Sequence, residues 1–371
     1  MKSTITVLLL PRGPRDCVES YTGEVRRLAR FGERLARFGA EGWRLGMRIG
    51  TASLVRAPVE ILTEWVAYHL NIGIDRMVIY FDDPEDPAIA ALAGQPRVQA
   101  IPCDDNLWRE SLRPGVTRLP ELVPEKQHAI MWHLMNVMAP ADLDWVAHID
   151  SDELIWAPGD VRSALEQELV AGVSHVQMMP MEAVPPRLDS VDPFREFTLF
   201  KENRTDRIAL AQRLGVRSPF RRGKYFRGHT KGKALVCLDG SVPYIRIHGP
   251  PPAMLEAATF TTVVARDLRV LHYDAGTYTG WLAKWSGRED RADMVGHTTK
   301  RRRRQTERFR RESARAQRRG KDRRLRQLFR DEYMLTPRDA RILRVLGLAR
   351  RVELDNRLFS LPMPESGPMP Q

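Results

Sequence analysis

Two carboxylates two residues apart, Asp150 and Asp152, follow directly on the apolar run Trp145-Val146-Ala147-His148-Ile149. A short apolar run of this kind reads as a buried strand, which puts both acids where the strand leaves its sheet. Carboxylates at that spacing reach one divalent ion, directly or through water. Hard Mg²⁺ or Mn²⁺ takes such oxygen ligands and keeps positions open for a diphosphate. An ion held there would neutralise charge growing on a departing phosphate group. Asp-x-Asp alone also describes a solvated turn or a helix cap, and its place after a strand is what distinguishes it. A second acidic pair, Asp82-Asp83, follows another apolar run, Met77–Phe81.

Bringing the two pairs together requires a particular order of elements. Ile49–Val55 suits a buried strand, and Pro58 suits the first turn of the helix ending at Asn71-Ile72-Gly73. Strand Met77–Phe81, helix Ala88–Ala93, strand Val98–Pro102, a helix over Pro124–Met138, strand Trp145–Ile149, helix Val161–Val170 and strand His175–Met179 follow. This alternation predicts an α/β fold with a mostly parallel sheet between helices. Ligands of such sheets bind beyond the carboxyl ends of the strands, where both acidic pairs fall. Hairpins and loops are expected from Pro185 to His248. Beyond them come a helix at Met254–Ala258, a strand at Leu268–Leu271 and helices at Tyr278–Trp285 and Pro337–Leu348. The organisation read from this is an N-terminal extension (1–47), an α/β domain (48–290), a basic helical segment (291–350) and a Pro-rich tail (351–371). Within the extension, Ile5–Leu10 reads as a strand rather than a signal peptide, and Glu24–Phe38 as a basic amphipathic helix.

Charge is distributed unevenly. The 371 residues carry a formal +12, yet Lys300–Arg330 holds sixteen Lys/Arg against three Asp/Glu, leaving −1 for the other 340. At 43% hydrophobic and 29% charged, the chain can bury a core, which excludes wholesale disorder. No apolar run reaches the ~20 residues of a membrane span. Three distant cysteines, Cys17, Cys103 and Cys237, without a CxxC, argue against a disulfide framework or structural zinc and fit a reducing cytoplasm. The basic segment has three readings: a solvated surface, adhesion to anionic lipid at the inner face of the plasma membrane, or nucleic-acid binding. Only Phe309 and Phe329 lie within it, so base stacking is poorly provided and the membrane ranks above nucleic acid.

The ordered motifs add a resemblance. Gln127 followed by Trp145-Val146-Ala147-His148-Ile149-Asp150-Ser151-Asp152-Glu153-Leu154 is similar to the DxD stretch of GT-A-fold glycosyltransferases, of the family 2-like and family 92-like kinds. Glu60-Ile61-Leu62-Thr63-Glu64-Trp65-Val66-Ala67-Tyr68-His69 looks like their E-x-L-x-E-W-x-x-Y-H helix. Ile72-Gly73-Ile74-Asp75 with Val78-Ile79-Tyr80-Phe81-Asp82-Asp83 fits their second strand. Gly232-Lys233, Ile247-His248, Leu271-His272-Tyr273 and Lys284 resemble their closing elements, so the likeness covers about residues 48–290. It implies a GT-A fold with a basic C-terminal appendage and a hexosyltransferase-like activity dependent on Mn²⁺ or Mg²⁺. The donor would be a nucleotide sugar, and the acceptor a saccharide or lipid-linked glycan in cell-surface polysaccharide synthesis. Carried over by position, Asp150 and Asp152 contact metal and diphosphate, and His272 completes the metal site, with His248 the other candidate. Asp82, beside Asp83, faces the base or ribose; Lys233 pairs with phosphate; Glu153 orients the acidic loop. One departure is the Lys-Asn-Glu-like tripeptide expected after the first strand, replaced here by Arg56-Ala57-Pro58-Val59-Glu60, where Arg56 offers a positive group.

An inverting transfer needs a carboxylate to take the acceptor proton. Glu182 follows a strand that ends at the rim, and Asp189 and Asp239 are alternatives; a retaining transfer needs no such base. Metal-dependent nucleotidyl or phosphoryl transfer uses similar acids, but no GxxxxGK[ST] is present. A non-enzymatic nucleic-acid-binding protein on the same scaffold is a further alternative. His69, His128, His133 and His148 read as core or rim histidines, and Met131, Met135 and Met138 as core packing. Trp281 and Trp285 read as an acceptor-sugar platform or as a buried pair.

Overall fold

The computed structural model describes residues 46–169, 173–221, 224–239, 242, 245–248, 261–274, 276–289 and 300–362. The chain divides into two units, Met1–Gly46 and Met47–Gln371, and every element described belongs to the second. The strand and helix expected in residues 1–45, the helix at Met254–Ala258 and the tail beyond residue 362 lie outside the described residues.

Strand β1 (Ile49–Val55) is buried along its whole length, as a small and apolar run covered on both faces must be. Helix α1 (Val59–Asn71) turns Leu62, Trp65, Val66 and Leu70 inward. Next come β2 (Arg76–Phe81), α2 (Ala88–Leu92), β3 (Val98–Pro102) and α3 (Asp105–Glu110). The Asp104 carboxylate caps α3 by accepting from Leu107 N at 2.8 Å. Helix α4 (Val123–His133) runs into a π turn, Leu134–Met138, and the chain returns as β4 (Trp145–His148). Strands β3, β2, β1 and β4 lie side by side and parallel. Their carboxyl ends therefore form one rim, with Asp82 beyond β2 and Asp150 beyond β4.

Past the rim the sheet changes character. It contains β5 (Glu153–Trp156), α5 (Val161–Glu168), β6 (Val173–Val184), α6 (Pro193–Glu196), β7 (Leu199–Glu202), α7 (Ile208–Arg213), β8 (Lys233–Cys237), β9 (Thr261–His272) and α8 (Tyr278–Glu289). The pairs β4–β8, β8–β6 and β6–β7 are antiparallel, while β9 runs parallel to β6 and antiparallel to β5. This is the α/β sheet between helices that the sequence predicts, extended by strands β7 and β8 within the stretch expected as hairpins and loops. Both β6 and β9 are twelve residues long and exceed the strands expected there. Strand β6 continues through Pro180, which gives no ladder N–H and is accommodated beside a register irregularity between Gln177 and Met179.

The basic segment folds into α9 (Lys300–Arg319) and α10 (Arg323–Tyr333), followed by α11 (Pro337–Val345) and β10 (Ala349–Arg351), which pairs with β7. Phe309 and Phe329 are fully buried and pack with Tyr278, Trp281 and Trp285 of α8 and Tyr333 of α10. Trp281 and Trp285 are thus a buried pair, and the aromatics of the basic segment fasten it to the body. Asp339 ties α11 down: its carboxylate accepts from Ser218 N at 2.7 Å and Arg217 N at 3.1 Å. Among the described residues no helix is long and apolar enough to cross a membrane.

Truncating Phe329 to Ala is expected to destabilise the protein by roughly 3–5 kcal/mol, read by urea denaturation, because a fully buried ring leaves a cavity. Asp339 gives a pH signature. Burial raises its carboxyl, but the Ser218 and Arg217 hydrogen bonds outweigh this and hold it below its ordinary value. A depressed folded value means its contribution is complete above about pH 4, the unfolded carboxyl range, and is lost as pH falls through the folded value. Asp339→Asn should therefore cost about 1 kcal/mol at neutral pH, and its difference from wild type should shrink in acid.

Candidate active site

Helix α1 grips the strand that carries the acidic loop. Trp65 Nε1 donates to Glu153 O at 2.8 Å, and Tyr68 Oη donates to Ile155 O at 2.9 Å. Ile155 N donates to His69 Nε2 at 3.2 Å, while His69 Nδ1 meets Trp65 O at 2.8 Å. These partners assign a neutral His69 with its proton on Nδ1. Burial agrees, pulling the imidazole down to about 4. Three side chains thus serve the edge of β5 as a neighbouring strand would, since β9 pairs only with its other edge. The segment 150–153 is fixed between β4 and this held strand.

Within that segment the acids are paired with lysines. Asp150 accepts from Lys233 Nζ at 2.8 Å and from Gln127 Nε2 at 2.7 Å. Glu153 accepts from Asp150 N at 2.9 Å, which is the loop-orienting bond, and lies 3.3 Å from Lys233 Nζ. Lys233 and Glu153 are fully buried. Burial alone would raise both carboxyls, but Lys233 outweighs it and holds Asp150 low and Glu153 well below the usual range. Gly232 makes room for this lysine. Its φ is +74°, and a Cβ there would lie 2.0 Å from Met178 O. Asp152 is one-third exposed and accepts from Lys284 Nζ of α8 at 2.8 Å; the same ammonium reaches Asp274 Oδ1 at 3.3 Å. Four carboxylates (Asp150, Asp152, Glu153, Asp274) thus face two ammonium groups.

A row of ionisable residues crosses the sheet beneath the cluster. Glu153 on β5 pairs with His272 on β9, His272 with Glu182 on β6, and Glu182 with Lys201 on β7. All four are buried. Glu182 forms an ion pair with Lys201 and accepts from Arg227 N and Gly228 N at 2.5 and 2.8 Å. Lys201 Nζ also donates to Tyr225 O at 2.6 Å. The pair clamps the segment 225–229 over the row. Gly228 sits so close that a Cβ would meet the His272 ring at 2.3 Å. His229 follows, its Nε2 2.7 Å from Glu153 Oε1, and its ring lies between those of His248 and His272 at 4.1 and 4.9 Å. Burial, with Lys233 and His229 nearby, pulls His248 down to about 4. Burial also lowers His272, but Asp152, Glu153 and Asp274 outweigh it and hold that imidazole above its ordinary value.

The remaining expected residues are distributed as follows. Asp82 is an ion pair with Lys126 of α4, on the same rim. Asp83 and Arg56 are exposed there. Asp239 follows β8, which runs antiparallel to β4, so the register leaves it at the end of the sheet away from Asp150. Asp189 is 85% exposed beside Arg187 in the segment after β6. His229 and Lys126 are the residues that sequence reasoning missed. Lys126 had a signal, since it adjoins Gln127 in the same helix; His229 had none, because cross-strand register and the Glu182 clamp place it.

The donor set suits a divalent ion. Asp152 Oδ1 and His272 Nε2 are 4.0 Å apart, a span that two donors at about 2.0–2.2 Å from one ion cover. Glu153, His229 and His272 offer a second set of donors, all within 4.8 Å of one another. Among the described residues the buried Nδ1 atoms of His229 and His272 have no hydrogen-bond partner. A set that mixes carboxylate oxygen with imidazole nitrogen suits Mn²⁺ better than Mg²⁺, which keeps to oxygen ligands.

No protein-family model matches the chain. A glycosyltransferase-like protein of Arabidopsis thaliana is 23% identical over 173 residues, covering 42% of this chain and 38% of that relative. The chain thus spans well under half the length of the relative it matches, and the likeness to glycosyltransferases read from the motifs is met again there. Similar solved structures include the galactosyltransferase LgtC in complex with donor and acceptor sugar analogues (15% identity, TM-score 0.26, 52% of this chain and 58% of that one). Another is glucosyl-3-phosphoglycerate synthase from Mycobacterium tuberculosis in complex with phosphoglyceric acid (16% identity, TM-score 0.26, 54% and 63%).

Lys233→Met is expected to cost about 3–5 kcal/mol in urea denaturation at neutral pH, because it leaves Asp150 and Glu153 as uncompensated buried charges. Removing an exposed pair such as Arg204 with Asp206 should cost less than about 1 kcal/mol.

Proposed function

We propose that this chain is a metal-dependent glycosyltransferase that moves a sugar from a nucleotide-sugar donor to a saccharide acceptor of a cell-surface glycan. One observation carries the reading: Asp150 and Asp152 of the loop after β4, His272 of β9 and Lys284 of α8 converge at the rim that also holds Asp82 and Lys126. The ordered motifs and the partial glycosyltransferase-like relative support it.

In this reading Asp152 and His272 hold Mn²⁺ or Mg²⁺, with Glu153 and His229 adjacent. When bound, the ion supplies Lewis-acid neutralisation of the leaving nucleoside diphosphate. Asp82, held by Lys126, faces the base or ribose, and Arg56 lies open at the end of β1. Lys233 keeps Asp150 ionised and oriented rather than reaching substrate, since its ammonium is fully buried between two acids. Lys284, one-third exposed, is the cation able to turn from Asp152 towards phosphate. Glu182 positions the Arg227–His229 segment and takes no proton, both of its oxygens being occupied by Lys201 and backbone amides.

Thermal unfolding with Mn²⁺ and a panel of nucleotide sugars tests the donor class. One nucleotide should raise the melting temperature, by about 2.7 kcal/mol of stabilisation at a hundredfold excess over its dissociation constant. Asp152→Ala should lower metal-dependent donor hydrolysis at least about 100-fold, equivalent to about 2.7 kcal/mol. Equal turnover by wild type and variant would sink the assignment.

A further inference from the structure

The turn between α9 and α10 concentrates positive charge in a way the fold does not use. Arg318, Arg319, Lys321 and Arg323 fall within six positions, all exposed, and no ion-pair partner is seen for any of them among the described residues. Neighbouring cations differ. Arg311, Arg315 and Arg324 share Glu312, and Arg326 pairs with Asp322 at 2.8 Å. Glu312 is thus spent on the side of the helix pair, and Asp322, the one acid within the turn, is held by Arg326 and Tyr278, so the four tip cations remain in excess.

Local helix physics opposes this arrangement at one end. Arg318 and Arg319 in the last turn of α9 meet a favourable dipole. Arg323 and Arg324 open α10, where the helix dipole disfavours cations; its first turn contains no acid, and the N-cap Asp322 is turned to Arg326 and Tyr278 without capping the helix. Residues set against a local rule mark a function when nothing in the fold compensates them. The tip is also not a loose tail, because Phe309, Leu325, Leu328 and Phe329 bury the inner faces of both helices against α8.

We infer that this tip is a docking surface for an anionic lipid bilayer. Each Lys or Arg brought to such a surface adds to the attraction, and a cluster of about four to eight is the size that recognises anionic lipid. Nucleic acid is the competing polyanion. The aromatics of the segment are buried in the core, so stacking on single strands has no platform, and the inner helix faces are spent on α8. The surface is also coupled to the candidate site. Helix α8, to which it is fastened, carries Lys284 on Asp152, and Tyr333 Oη at the end of α10 donates to Asp274 Oδ2 at 3.3 Å. Adhesion at the tip would hold the rim in a fixed attitude to the bilayer, which suits an acceptor displayed there.

The test is co-sedimentation of the full chain with phosphatidylglycerol-containing vesicles and with pure phosphatidylcholine vesicles. Binding should require the anionic lipid and weaken steeply with salt. The combined variant Arg318→Gln, Arg319→Gln, Lys321→Gln and Arg323→Gln should bind at least about 100-fold more weakly while melting like wild type. No binding to anionic vesicles, or unchanged binding by the variant, overturns the inference. Tighter binding to a duplex oligonucleotide than to the vesicles at equal phosphate overturns it in favour of nucleic acid. Stabilisation by a nucleotide sugar is measured on the same preparations. Its absence would count against the proposed catalytic reading alone, and its retention in the variant would show that the tip and the donor site are separate.

Discussion

The structure depends on keeping ionised groups inside a sheet. Lys233 is fully buried between Asp150 and Glu153, and the row Glu153, His272, Glu182, Lys201 crosses four strands with every member buried. Burying one such charge unpaired costs several kcal/mol, so each must find its partner at hydrogen-bond distance. That requirement dictates much of the local backbone. Gly232 passes against Met178 so that Lys233 can enter, Gly228 lies on the His272 ring, and the amides of Arg227 and Gly228 turn towards Glu182.

The same constraint separates the groups that hold the site from those facing its opening. Glu182 and Lys233, fully committed to buried partners, fix where other residues stand. Asp152 and Lys284 are each about one-third exposed, and the two imidazoles of His229 and His272 keep an unpartnered nitrogen. Rigid acids beneath and adjustable groups above are what a site needs to bind an anionic ligand with an ion without reorganising its own foundation. Helix α1 belongs to the foundation. Its Trp65, Tyr68 and His69 satisfy the backbone of β5, so the acidic loop is held at both ends.

The basic segment has a different relation to the sequence. Its charge is evident from composition, but its attachment rests on Phe309 and Phe329, two residues among sixteen cations. Their burial against Trp281 and Trp285 turns a tract readable as a solvated tether into a fastened pair of helices, and it removes those tryptophans from any role in holding a sugar.

The sequence by itself determined the parallel half of the sheet. Apolar runs at Ile49–Val55, Met77–Phe81 and Trp145–Ile149, each followed by a turn or acids, are local signals, and they put Asp82 and Asp150 on one rim. It also marked Asp152, Lys233, His272 and Lys284, although which acid each lysine meets is not a local property. Only the tertiary structure decided the rest. Strand β5 is four residues long and is completed by side chains of a helix more than eighty residues earlier. Glu182 faces inward because β6 continues through Pro180, and Asp239 falls away from the rim because β8 runs antiparallel to β4. His229 reaches the acids only through the Glu182–Lys201 clamp. Cross-strand register and strand direction join residues far apart in the chain, and no single stretch of sequence encodes them.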